Sequence, residues 1–187
     1  MSEGTAEERA LRTLMTQYQR ADAAAVEELV QRISPLLLRY FGASNFGRSD
    51  TKDLLQDCWL RIHRSRHTYR ASEPLLPWIY TIARRTRLDA YRKRRRLESR
   101  EVLVETLPER VQDVVPDTGS EQEAVAELIA GLPESQRDVI VMVKVTGMSL
   151  EEVARATSST VGAVKAKAHR AYTTLRRALA KDRKNAG

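Results

Sequence analysis

The stretch from Gly147 to Arg177 constrains the fold more than any other part of the chain. Gly147 can end a preceding helix in a left-handed conformation. Ser149 with Glu152 three residues later is a capping box, the signature of a helix start. Leu150, Val153 and Ala154 give that short helix an apolar face. Thr157, Ser158 and Ser159 break it, and Ser159 or Thr160 can cap a second helix. In the second helix Val161, Val164, Ala168, Tyr172, Leu175 and Leu179 recur every three or four residues and form one stripe. Ala163, Ala166, Lys167, Arg170, Thr173, Thr174 and Arg177 fall opposite, with Lys165 and His169 at the flanks. A short capped helix, a tight turn and a basic second helix make a helix-turn-helix, whose second helix enters a DNA major groove N-terminus first. Ala163 and Ala166 allow close approach and contact with thymine methyls, while Lys165, Lys167 and Arg170 can reach base edges or phosphates.

The rest of the composition agrees with a polyanionic partner. The 187 residues carry a formal net charge of +7, with an isoelectric point near 9.8. A single cysteine, Cys58, rules out an internal disulfide framework and suits a reducing compartment. Met1 to Arg9 is polar and acidic rather than a secretory signal, and no apolar run reaches the length that spans a bilayer, so the expected location is the cytoplasm.

Almost nothing reads as strand, and the expected class is all-α. Leu11, Leu14, Met15 and Tyr18 share a face of a first helix. Asp22 caps a second, with Val26, Leu29, Val30, Ile33, Leu36, Leu37 and Tyr40 apolar and Pro35 bending it or starting a new turn. Gly42 to Gly47 reads as a loop. Ser49 or Asp50 caps a third helix from Thr51 to about Ser65. It buries Leu54, Leu55, Cys58, Trp59 and Ile62 and turns Asp53, Gln56, Asp57, Arg61 and Arg64 outward. Cys58 in that company is an inert core thiol.

After a polar connection from His67 to Pro74, a fourth helix runs from Leu75 to about Arg96 on Trp78, Ile79, Ile82, Ala83 and Ala90. Its later part holds Arg84, Arg85, Arg87, Arg92 and four more cations against Asp89 alone, an electrostatic footprint for a phosphate backbone. Between Glu101 and Glu123 seven acids face one base, Arg110, and Pro108, Pro116 and Gly119 interrupt any regular element. This segment reads as a flexible acidic linker. The expected organisation is therefore two small helical domains, residues 1–98 and 121–187, joined through residues 99–120, the second a helix-turn-helix. Helices around Gln122–Ala130 and through Val139, Ile140, Met142, Val143 and Val145 lead into it.

The chain resembles a bacterial sigma factor of the extracytoplasmic-function (ECF) group of the sigma-70 family. Asp53-Leu-Leu-Gln-Asp-Cys-Trp-Leu-Arg-Ile-His63 resembles the segment that grips the clamp helices of RNA polymerase. Pro77-Trp-Ile-Tyr-Thr-Ile-Ala-Arg-Arg85, with Asp89-Ala-Tyr-Arg92, resembles the segment that melts and reads the −10 element. Gly131-Leu-Pro-Glu-Ser-Gln-Arg137 and Gly147-Met-Ser-Leu-Glu-Glu-Val-Ala154 resemble the lead-in to the −35 domain, and Val161 to Arg170 its recognition helix.

The resemblance implies core-polymerase contacts at Asp53, Gln56, Asp57 and Arg61. It implies −10 contacts in the loop of His67, Thr68, Tyr69 and Arg70 and at Arg84, Arg85, Arg87 and Arg92, and −35 contacts at Ala163, Lys165, Ala166, Lys167, His169 and Arg170. It further implies a cognate anti-sigma factor, in many members membrane-anchored. Lys165 and Ala166 stand where arginine and serine are common in the family, so its −35 sequence does not transfer.

The alternative is a stand-alone helix-turn-helix regulator, which leaves the outward Asp53, Gln56 and Asp57 without a role. An enzyme finds little support. His63 and His67 are spaced like metal ligands, but the intervening Arg-Ser-Arg carries cations that repel a metal, and no cofactor or glycine-rich phosphate loop is called for. Trp59 and Trp78 fall on apolar stripes and read as core; Tyr69, in the polar connection where the resemblance implies the −10 base-capturing loop, is the better stacking candidate, the alternative being an ordinary exposed loop tyrosine.

Overall fold

The computed structural model describes residues 6–43, 48–101, 128–129 and 131–185, all of whose regular elements are helical. Helix α1 (Ala6–Gln19) buries Leu11, Leu14, Met15 and Tyr18, as its periodicity predicts. Asp22 accepts a hydrogen bond from the Ala25 amide at 3.1 Å and caps α2 (Ala23–Gly42). Pro35 sits inside α2 without ending it, and the core extends to Phe41, which the stripe read from sequence omits. Helix α3 (Arg48–Ser65) starts earlier than expected, so Ser49 and Asp50 lie in its first turn rather than at its cap. The Asp50 carboxylate is still favourable there, beside the positive end of the helix dipole.

A 3₁₀ turn, Arg66–Thr68, leads through the connection to α4 (Leu75–Glu101), which is longer than its sequence pattern indicates. The α4 N-terminus is capped from a distance. The Leu75 amide donates to Glu8 Oε1 at 2.7 Å, and Glu8 is held in turn by Arg12. A carboxylate placed on orphan helix amides is the favourable sign for that end of the dipole.

Helix α5 (Glu134–Ile140) passes directly into a π turn, Val141–Val145. Successive residues of this stretch point in different directions and serve two clusters. Ile140 packs with Leu132 and Ala171. Val139, Val141 and Met142 join the larger core formed by α1 to α4.

Gly147 adopts φ 72°, the left-handed stop its position predicts. Ser149 and Glu152 form the expected capping box on α6 (Leu150–Ala156), and Thr160 caps α7 (Val161–Asn185) through the Ala163 amide at 3.2 Å. The buried line of α7 is rotated from the predicted stripe. Val164 and Ala171 are fully buried, whereas Tyr172 and Leu179 are exposed. The expected linker and the helix around Gln122–Ala130 lie outside the described residues except for Leu128 and Ile129.

The helix-turn-helix packs against the N-terminal helices. Residues of α6, Val153, Ala154 and Ala156, belong to the same buried cluster as Tyr40, Ile79, Tyr80 and Ala83. Thr81 Oγ1 donates to the Ala156 carbonyl at 3.3 Å across this seam.

Removing the remote cap tests how α4 is anchored. Glu8→Ala is expected to lower unfolding free energy by about 1–3 kcal/mol, with Glu8→Gln losing less. Urea denaturation measures both, and an unmoved midpoint for Glu8→Ala would contradict the capping role.

Candidate nucleic-acid interface

Three surfaces carry the residues singled out by sequence. On α7, Lys165, Ala166, His169 and Arg170 are exposed, and Ala163 and Lys167 are half-buried beside them. The capped start of the helix therefore presents small residues and cations together, as major-groove entry requires.

The second surface is on α3. Asp53, Gln56 and Asp57 are exposed on one face, with Arg61 half-buried one turn on. Leu60, not anticipated from the sequence, stands among them with half of its surface in solvent. An open groove of about 600 Å³ runs between this face and α4, edged by Asp53, Asp57, Asp89 and Lys93. Arg61 closes one side through an ion pair to Asp89 at 2.6 Å. Behind the face, burial pushes the Cys58 thiol up to about 12, so the sulfur is a packing atom and not a nucleophile.

The third surface, on α4 and the loop before it, is divided. Arg85 and Arg92 are exposed, as are His67, Thr68 and Arg70. Arg84 and Arg87 are not free. The Arg87 side chain is buried, donating to Asp138 Oδ1 at 2.7 Å and to Glu134 Oε1 at 2.9 Å. Arg84 Nε donates to the other oxygen of Asp138 at 3.0 Å. Tyr40 adds a third donor to the same carboxylate at 3.2 Å and lies under the Arg87 guanidinium, 5.9 Å from ring centre to Cζ. Burial alone would lower the Arg87 pKa, but Tyr40, Asp138 and Glu134 outweigh it and hold the guanidinium above its ordinary value. Burial raises the Tyr40 phenol strongly, reinforced by the Asp138 charge.

Tyr69 corrects the sequence reading. Its side chain is only 4% exposed, its ring lies 5.6 Å from that of Trp78, and its hydroxyl donates to the Glu73 carbonyl at 2.8 Å. Gln19 fastens the same loop by donating to the Arg66 and Tyr69 carbonyls. Tyr69 thus offers no open ring face to a base in this arrangement, and the exposed loop positions are its neighbours. The two histidines also part company: His63 Nδ1 lies 2.8 Å from the Tyr18 hydroxyl, while His67 faces solvent.

Comparison with known proteins places these surfaces in context. Residues 26–97 match the family model "Sigma-70 region 2" and residues 122–181 match "Sigma-70, region 4". The chain is 30% identical to the ECF RNA polymerase sigma factor SigF of Caulobacter vibrioides over 171 residues, which covers 88% of this chain and 91% of that one. It is 33% identical to the ECF RNA polymerase sigma factor SigD of Mycobacterium tuberculosis over 168 residues, covering 83% and 77%. Among solved structures, it resembles CnrH in complex with the cytosolic domain of CnrY (TM-score 0.73, 24% identity, 92% of this chain and 99% of that one). It also resembles RpoE in complex with the anti-sigma factor NepR from Bartonella quintana (TM-score 0.70, 19% identity, 82% and 96%). At these identities the two structures attest the fold alone.

A buried Tyr69 predicts a stability phenotype. Tyr69→Phe, which loses only the hydroxyl bond to Glu73, should cost about 1 kcal/mol, and Tyr69→Ala about 3–5 kcal/mol by emptying its pocket beside Trp78. Thermal or urea unfolding of both variants checks this, and a Tyr69→Ala protein as stable as the parent would show that the ring is not core.

Proposed function

The chain belongs to the ECF group of the sigma-70 family, and from that premise we propose how its surfaces share the work of promoter recognition. It is an RNA polymerase sigma factor, with core polymerase and promoter DNA as its partners. The observation that carries the assignment of surfaces is the order of the two family regions combined with the exposure of one face in each. Region 2 presents the polar face of α3, and region 4 presents the outer face of α7.

Asp53, Gln56, Asp57 and Arg61 bind the polymerase clamp, and the groove beside them receives part of it. Arg85 and Arg92, the loop residues His67, Thr68 and Arg70, and Arg84 and Arg87 once released, hold −10 DNA. Tyr69 shapes that loop from within. Lys165, Lys167, His169 and Arg170 meet the −35 element, where Ala163 and Ala166 allow close approach. Residues 1–98 and 121–187 are the working units, and residues 99–120 connect them. The protein contributes no chemistry of its own and acts in the cytoplasm with its polymerase. An anti-sigma factor holds it inactive, as the membership of the ECF group implies. The stand-alone regulator accounts for α7 but leaves the region 2 match without a function.

The deciding experiment compares the chain with and without core enzyme. Alone, it should bind promoter duplex weakly and with strong salt dependence, since one helix-turn-helix makes few phosphate contacts. With core enzyme, tight binding, reactivity of unpaired thymines near −10 and specific transcription should appear together. Charge reversal at Asp53 and Asp57 should abolish co-purification with core enzyme while leaving helix content intact. A core-independent footprint at physiological salt, without strand opening, would sink the sigma-factor mechanism.

For −35 reading, Arg170→Ala and Lys165→Ala are compared on a promoter library. At least one should relax base preference at a single position, a loss of about 1–3 kcal/mol of discrimination. Uniform weakening across all sequences in both variants would reduce the two cations to phosphate contacts.

A further inference from the structure

The carboxylate of Asp138 is held as a DNA phosphate would be held. It is buried, and it accepts from the guanidinium groups of Arg84 and Arg87 and from the Tyr40 hydroxyl. Its two arginines belong to the region 2 match, while Asp138 itself belongs to region 4. Glu134, one turn before Asp138 on α5, takes a further hydrogen bond from Arg87. Arg155 of α6 reaches Glu73, in the loop before α4, at 3.8 Å. The ionic contacts of this seam therefore place acids of one unit on cations of the other, and the two principal cations lie on the basic face of α4.

Geometry makes this arrangement incompatible with a promoter. The −10 and −35 elements are separated by about 25 base pairs, or about 85 Å at about 3.4 Å per pair. A compact chain of this length has a radius of gyration near 16 Å, roughly. The closed bundle cannot reach both elements, so the seam must part before both are read.

Closure does not hide every working surface. Asp53, Gln56 and Asp57 on α3 and Lys165, His169 and Arg170 on α7 remain exposed, whereas Arg87 is sealed and Arg84 is half-covered. What closure withholds is the part of the basic face that faces Asp138.

We propose that the closed arrangement is an autoinhibited state latched by Asp138, which occupies Arg84 and Arg87 in place of DNA phosphate. Core polymerase then docks on the closed chain through α3, and parting of the seam follows docking. The inference rests on the sigma-factor reading for its consequence, but the latch itself is measured without transcription.

The test uses the full chain, labelled at Gln31→Cys and Ala180→Cys, two exposed positions in separate units. The native Cys58 is buried and does not compete for the label. Single-molecule energy transfer reads the distance between the dyes. The parent chain should show one high-transfer, closed population. Asp138→Leu leaves the buried Arg87 with the half-exposed Glu134 as its remaining acidic partner and should shift the closed-to-open ratio by about ten-fold or more. Arg87→Leu with Asp138→Leu removes both charges, and the double variant should close again, because an apolar pair tolerates burial. Binding of oligo(dT) gives the second readout: it should tighten at least several-fold in Asp138→Leu and not in the double variant.

Should Asp138→Leu lose helix content by circular dichroism, Asp138→Asn keeps the shape and should still populate the open form above the parent. An open parent chain, or Asp138 variants as closed as the parent with unchanged oligo(dT) affinity, would overturn the latch. Absence of core-dependent transcription with an intact latch would instead overturn the sigma-factor reading.

Discussion

A single buried carboxylate, Asp138, sets how the two halves of the described structure meet. The Coulomb attraction between Asp138 and Arg87 is largely cancelled by the cost of taking both from water. The pair therefore adds little net stability, yet either charge left alone in that site is heavily penalised. Such a pair favours the alignment in which Asp138 of α5 meets Arg84 and Arg87 of α4 and Tyr40 of α2 together. The surrounding apolar cluster, from Tyr40 and Tyr80 to Met142 and Val153, supplies the adhesion. Adhesion without the carboxylate would be less particular about alignment.

What could be read in the sequence was whatever depends on near neighbours along the chain. Asp22 before α2, Gly147 at a left-handed turn and the Ser149–Glu152 box are local devices, and each is found where its spacing placed it. The apolar faces of α1 and α3 also followed from periodicity, because a single face of each meets the core. The structure departed from the sequence where partners are distant. Arg87 sits in a run of exposed arginines and looks like one of them, but its counterion is 51 residues away. Tyr69 reads as a loop tyrosine because neither Trp78 nor the anchoring Gln19 can be placed beside it by spacing. Along α7 the buried line passes through Ala171 rather than Tyr172, since α5 approaches from a side that periodicity could not specify.

The same helix, α4, is asked to satisfy opposing demands. Its N-terminal turns are built into the core through Leu75, Ile79, Tyr80 and Ala83, and its first amide is claimed by a carboxylate from α1. Its later turns carry dense positive charge that repels itself unless an anion is near. Asp89 relieves part of that repulsion through Arg92, and Asp138 with Glu134 relieves it toward α5. Nucleic acid would relieve it from outside. The helix is thus stable in more than one company, which is what a protein that exchanges partners needs of its central element.

The π turn after α5 has a consequence for solubility. Along α5 and this turn, Ile140 completes the small cluster with Leu132 and Ala171, while Val139, Val141 and Met142 belong to the larger one. Separation of the two units would turn toward water the apolar residues of the second unit that pack on α2 and α4. Soluble chains seldom tolerate such exposure for long without self-association. A chain of this design is safest in storage when shut, and whatever pries it open has to bring an apolar surface of its own to the same place.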